Sequence, residues 1–67
     1  MKKAAIILAP GFEEGETLTI VDIIRRANLQ CDMVGVEKEV EGGHEIVVRC
    51  DHLLYETLLD YDMVILP

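Results

Sequence analysis

The chain alternates between unbroken apolar runs and one broad amphipathic stretch, and that order predicts most of its elements. Ala4, Ala5, Ile6, Ile7, Leu8 and Ala9 follow one another without a polar residue and stop at Pro10-Gly11. A run of this length with no alternation predicts a strand covered on both faces, as in a parallel sheet. Pro10 and Gly11 end it and open a loop. Over residues 17–28 the period changes to that of a helix. Leu18, Ile20, Val21, Ile23, Ile24 and Ala27 form its apolar face, and Thr19, Asp22, Arg25 and Arg26 its polar one. Glu13, Glu14 and Glu16 gather at its start, where the helix dipole favours negative charge; Arg25 and Arg26 sit at its end, where positive charge is favoured. Asn28 suits a left-handed terminator.

Residues 29–36 predict a second strand, with Cys31 in its first half and Met33-Val34-Gly35-Val36 as its apolar end. Strand, helix and strand together make the minimal right-handed crossover of a parallel sheet. Gly42-Gly43, with Val40 before it and Ile46-Val47-Val48 after it, predicts a hairpin. Residues 51–59 predict a short helix capped by Asp51, with Leu53, Leu54, Leu58 and Leu59 on its apolar side. Tyr61-Asp62 then leads into a last buried-strand run, Met63-Val64-Ile65-Leu66, before Pro67. The fold class is α/β, with a parallel sheet and flanking helices.

Composition bears on the size of the folded unit. Single domains usually run to roughly 100–200 residues. A chain near 67 residues buries only about 60% of its unfolded surface. An apolar fraction of 51% and a mean hydropathy of +0.27 are high for so short a chain. Residues 1–67 are therefore expected to be the N-terminal portion of a single larger domain, whose remainder is their first partner. The last apolar run ends where open parallel sheets bind ligands, beyond the carboxyl ends of the strands.

Thirteen acidic residues against six basic ones give a net charge of −7. Nucleic acid and anionic membrane surfaces are disfavoured as partners, since both are bound through positive charge. No apolar stretch approaches the length that spans a bilayer. Met1-Lys2-Lys3 precedes only a short apolar run, with no leader-type cleavage site, and Cys31 and Cys50 lack CxxC spacing. The expectation is a cytoplasmic protein with both thiols free and no metal site.

The candidate chemistry lies in Ala9-Pro10-Gly11-Phe12-Glu13-Glu14-Gly15-Glu16-Thr17, which sets three carboxylates at a strand–helix junction. Glu16, close to the helix start, can point into the crevice above the sheet. A carboxyl beside an apolar strand edge tends towards the protonated form through desolvation and can then donate a hydrogen bond to a thiolate or an oxyanion. The plainer alternative is that all three acids decorate a helix N-terminus.

This stretch resembles the N-terminal motif of the ThiJ/PfpI superfamily, in its DJ-one branch. The helix Val21-Asp22-Ile23-Ile24-Arg25-Arg26-Ala27, the hairpin Gly42-Gly43-His44 and the closing Tyr61-Asp62-Met63-Val64-Ile65-Leu66-Pro67 carry the resemblance further. It covers the whole chain but only the leading part of the family's domain. The resemblance implies a flavodoxin-like, class I glutamine amidotransferase-like sheet. It implies that Glu16 hydrogen-bonds a nucleophilic cysteine encoded beyond residue 67. It implies cysteine-dependent attack on small carbonyl compounds, of glyoxalase or deglycase type, in other branches peptidase or chaperone activity, with no cofactor. Gly11, Glu13, Glu14 and His44 are the candidate substrate-binding positions. The family usually dimerises, and the residue matching His44 lies near the partner protomer's site in some branches.

Two other classes stay in view: a non-enzymatic flavodoxin-like regulatory module whose acidic cluster binds Mg²⁺, and a chaperone or redox-stress sensor that reuses the same cysteine. Cys50-Asp51-His52 names three catalytic residue types, but consecutive positions point different ways, which favours a strand end and helix cap. Cys31 reads as a core residue. His44 also reads as a solvated loop histidine, His52 has no evident partner, and Tyr55 and Tyr61 read as packing residues with wet hydroxyls.

Overall fold

The computed structural model describes residues 2–57 and 60–67. In chain order the elements are β1 (Lys3–Leu8), α1 (Glu14–Arg26), β2 (Gln30–Gly35), β3 (Glu39–Glu41), β4 (Val47–Arg49), β5 (His52–Leu53), α2 (Leu54–Thr57) and β6 (Met63–Ile65). Four of them form a parallel sheet in the order β5-β2-β1-β6. Lys3 lies opposite Gln30 and Leu8 opposite Gly35, while Ala4 and Ile6 lie opposite Met63 and Ile65 on the other side. β3 and β4 form a separate antiparallel ribbon, with Val40 opposite Val48.

The apolar run predicted as a doubly covered strand is the inner strand β1. Ala5, Ile6 and Leu8 have no exposed surface. A strand hydrogen-bonded on both edges and packed on both faces has no position left for a polar side chain, hence the missing alternation. α1 packs Ile20, Val21 and Ile24 onto Ala4, Ile6, Cys31, Met33 and Ile65. A second cluster, Leu8, Phe12, Val40 and Cys50, lies under the ribbon, and Met33 touches both clusters. Gly35, the last residue of β2, is closely packed: a Cβ there would run into the Cys50 sulfur and the Glu37 carbonyl.

Several expectations need correction. α1 begins at Glu14, three residues earlier than its apolar pattern implies, because the Glu13 side chain accepts the Gly15 N–H at 3.1 Å and caps it. Ile23, counted with the apolar face, is 59% exposed. The helix rests on one sheet, and the arc that touches it is narrower than the apolar stripe. Asn28 does terminate the helix in the left-handed region, at φ 61°. Asp51 does not cap a helix. Its Oδ2 instead accepts the Met33 N–H at 2.8 Å and the Arg25 guanidinium at 2.9 Å, tying α1 to the middle of β2. His52 and Leu53 then pair with β2 as a short strand, and α2 starts only at Leu54. The tail of the expected 51–59 helix, Leu58 and Leu59, lies outside the described residues. No helix among the described residues is long and apolar enough to cross a membrane.

Ile6 fills the contact between α1 and the sheet, so Ile6→Ala should lower stability by about 2–5 kcal/mol. Urea unfolding of the full-length protein measures this; a loss well under 1 kcal/mol would contradict the packing.

Candidate functional site

β1 delivers the chain into a tight loop before α1. Phe12 N–H donates to the Ala9 carbonyl at 3.1 Å, closing a turn over Pro10 and Gly11. Gly11 has φ +89°, a conformation that costs glycine little and other residues more. The loop is not free, because the tip of the β3–β4 ribbon is laid against it. Gly11 N–H donates to the Glu41 carbonyl and Gly43 N–H to the Phe12 carbonyl, each at 2.9 Å.

The third and strongest connection is the Glu14 side chain. Glu14 is the first residue of α1 and only 3% exposed. Its Oε2 accepts the backbone N–H of His44 at 2.6 Å and of Ile46 at 3.3 Å, and its Oε1 lies 3.2 Å from His44 Nδ1. The glycine at position 42 exists for this carboxylate. Gly42 is not in the positive-φ region, but a Cβ on it would overlap the Glu14 side chain. The left-handed turn residue in the tip is Glu45, at φ 66°. Burial by itself pushes the Glu14 carboxyl up. The donors outweigh it: the backbone N–H groups of Glu14, His44 and Ile46 and the His44 ring bring its pKa down from 4.5 to about 2.

The desolvation expected of Glu16 thus falls on Glu14. Glu16 itself is exposed in the first turn of α1, and Glu13 is exposed while it caps the helix. Of the candidate positions, the structure brings Gly11, Glu14 and His44 together at the ribbon tip and leaves Glu13 and Glu16 facing solvent. The His44 ring is 77% exposed, as a loop histidine would be, yet one nitrogen is held by Glu14. A groove of about 290 Å³ lies between the ends of β1 and β6, lined by Ala9, Pro10, Gly11, Leu66 and Pro67 among others. It occupies the carboxyl end of the sheet, where such folds bind ligands.

Other groups behave differently from the sequence reading. Cys50, Asp51 and His52 diverge: Cys50 enters the ribbon cluster, Asp51 turns to Arg25, and His52 Nε2 lies 3.5 Å from Asp32 Oδ2. Asp32 Oδ2 also accepts the Tyr61 hydroxyl at 2.6 Å, so that hydroxyl is engaged rather than simply wet. A lone aspartate within a mainly apolar strand was the available signal for this group, but nothing local names partners so far along the chain. Cys31 and Cys50 are buried, and desolvation pushes both thiols up. Among the described residues no three His, Cys, Asp or Glu side chains converge as metal ligands.

A parallel α/β sheet with flanking helices and an acid-bearing strand–helix turn at its carboxyl end defines a flavodoxin-like class. Within that class, residues 2–67 match the DJ-1/PfpI family. The chain belongs to that family. It is 37% identical to protein DJ-1alpha of Drosophila melanogaster, over 98% of this chain and 32% of that protein. Against the Parkinson disease protein 7 homolog of Danio rerio the identity is 36%, over 98% and 37%. A DJ-1 superfamily protein of Salmonella typhimurium, solved as a cysteine-to-alanine mutant, superposes with a TM-score of 0.93 at 37% identity, over 100% of this chain and 38% of that one. The chain therefore spans about a third of the length of the relatives it matches.

Two outcomes follow from these environments. A carboxyl whose folded pKa is depressed stabilises the fold above its unfolded value and loses that contribution as pH falls through the folded one. The stability gap between the unmodified protein and Glu14→Gln should therefore be largest above pH 4.5 and shrink towards pH 2 in urea titrations. A gap that does not vary over that interval would contradict the assignment. Iodoacetamide at neutral pH should leave Cys31 and Cys50 unmodified until denaturant is added, as mass spectrometry of the peptides would show.

Proposed function

We propose that this chain supplies the acid-bearing N-terminal part of a cysteine-dependent enzyme acting on small carbonyl compounds, of glyoxalase or deglycase type. Glu16 assists a nucleophilic cysteine encoded beyond residue 67. The observation that carries this reading is the division of labour within one helical turn. Glu14 is buried and saturated by the ribbon, Glu13 caps the helix, and Glu16 alone of the three is left exposed without a capping or ribbon role. An acid on a rigid helix start beside the ligand edge of the sheet can be spent on a reacting group.

In the reaction, the sulfur adds to the carbonyl carbon of the substrate while the carbonyl oxygen takes up the electron pair and then a proton. Glu16 contributes a hydrogen bond that orients and tunes the sulfur. Gly11 and His44 border the substrate edge, with Glu13 at its rim. The Salmonella relative carries a cysteine replacement in its solved form, and another relative, Toxoplasma gondii DJ-1, was solved oxidised. Both fit a family whose chemistry centres on sulfur. The complete protein acts as a cytoplasmic homodimer in this reading, without a cofactor.

The magnesium-binding alternative is not favoured, because the three acids do not converge: Glu14 turns inward and Glu13 turns to the Gly15 amide. In the full-length protein, Glu16→Gln should slow alkylation of the nucleophilic thiol at neutral pH about tenfold, the effect of one pKa unit on the thiolate fraction. An unchanged alkylation rate would remove this function.

A further inference from the structure

We propose that Glu14 is a positioning residue for Glu16: by strapping the ribbon tip onto the loop 9–13, its carboxylate fixes the helical turn from which Glu16 projects. The proposal rests on the reading of Glu16 given above and extends it to a residue buried beneath the ribbon tip.

Three features of the strap carry the argument. The tip is held at three levels, through Gly11 N–H to the Glu41 carbonyl, Gly43 N–H to the Phe12 carbonyl, and the paired His44 and Ile46 amides to Glu14. Only the last reaches α1 itself. Next, the fit is specific, since Gly42 leaves room for the Glu14 side chain and for nothing larger on its own Cα. A carboxylate so enclosed, and bound by donors that cannot follow it elsewhere, has one available position. Last, residues two apart on a helix are separated by about 200° around its axis. Glu14 faces the ribbon and Glu16 faces outward on the opposite side, so holding one sets the bearing of the other.

Without the strap, the start of α1 would be held by the Glu13 cap and by Thr17, which is fully buried deeper along the helix. A turn at a helix N-terminus that lacks lateral restraint frays readily. The result would be a correctly folded sheet carrying an acid whose direction varies. Misplacement of a reacting group by about 1 Å can cost a hundredfold in rate.

Four variants of the full-length protein test this, alongside Glu16→Gln. Glu14→Ala removes both acceptor oxygens, and Gly42→Ala displaces the Glu14 side chain while leaving its chemistry intact. Glu14→Gln keeps an acceptor for the two amides, and His44→Ala keeps the backbone N–H that Glu14 binds. Two quantities are read: hydrogen exchange at the His44 and Ile46 amides, and the pH–rate profile for iodoacetamide alkylation of the nucleophilic thiol. Glu14→Ala and Gly42→Ala should speed exchange at both amides and move the alkylation profile to that of Glu16→Gln, about tenfold slower at neutral pH. Glu14→Gln should retain the original profile, and His44→Ala should leave the Ile46 amide as protected from exchange as before. If Glu16→Gln alters the profile but Glu14→Ala and Gly42→Ala free the amides without altering it, the positioning role is overturned and the function of Glu16 stands. If Glu16→Gln leaves the profile unaltered, the reading of Glu16 falls and the positioning role falls with it.

Discussion

The junction between sheet, helix and ribbon depends on a carboxylate that is almost wholly withdrawn from water. Removing an ionised side chain from solvent is costly, and it persists only where hydrogen bonds compensate. At Glu14 that compensation comes from its own backbone N–H and, from outside the helix, from two backbone N–H groups and a ring nitrogen some thirty residues further along the chain. The direction of the pKa shift shows which side prevails: burial raises it, but the donors together take it to about 2. A charge held this way ties two elements together at a defined angle, because the donors of a tight turn cannot be rearranged. The helix start, the loop after β1 and the ribbon tip behave as one unit.

That unit sits on a sheet whose inner strands are better covered than its edge strand β6. β1 and β2 bury their inward residues almost completely, whereas Met63 and Val64 of β6 are about half exposed, at 51% and 45%. Leu66, just beyond the strand, is 77% exposed. An unpaired strand edge with apolar side chains on it is a surface that folded proteins normally cover. In relatives of this chain the matched region makes up about a third of the protein, which provides ample sequence for that purpose. The groove between the ends of β1 and β6 lies on the same border.

The legible parts of this protein were those governed by repetition. β1 was evident because two covered faces permit only apolar residues, and α1 because its core positions recur at the helical period. The glycine pair signalled a hairpin correctly but for another reason: the strained turn residue is Glu45, and Gly42 is small to admit Glu14. Through-space pairings were not legible. Asp51 satisfied the local rule for a cap, yet Arg25 and the Met33 amide, distant in sequence, claimed its oxygen. Of three neighbouring glutamates, composition could say only that they suit a helix start. Which one is buried was decided by a ribbon whose approach no local pattern encodes.

The ionisation of Glu14 in the folded protein holds this junction together. A carbon-detected NMR titration of the side-chain carboxyls, with Glu14 assigned through its contacts to His44 and Ile46, reads that quantity without altering a residue. An inflection near pH 2, well below the ordinary 4.5, is the predicted result. A Glu14 carboxyl that titrates at 4.5 or above while the protein remains folded would mean that the ribbon does not bind a carboxylate there, and the junction described here would be wrong.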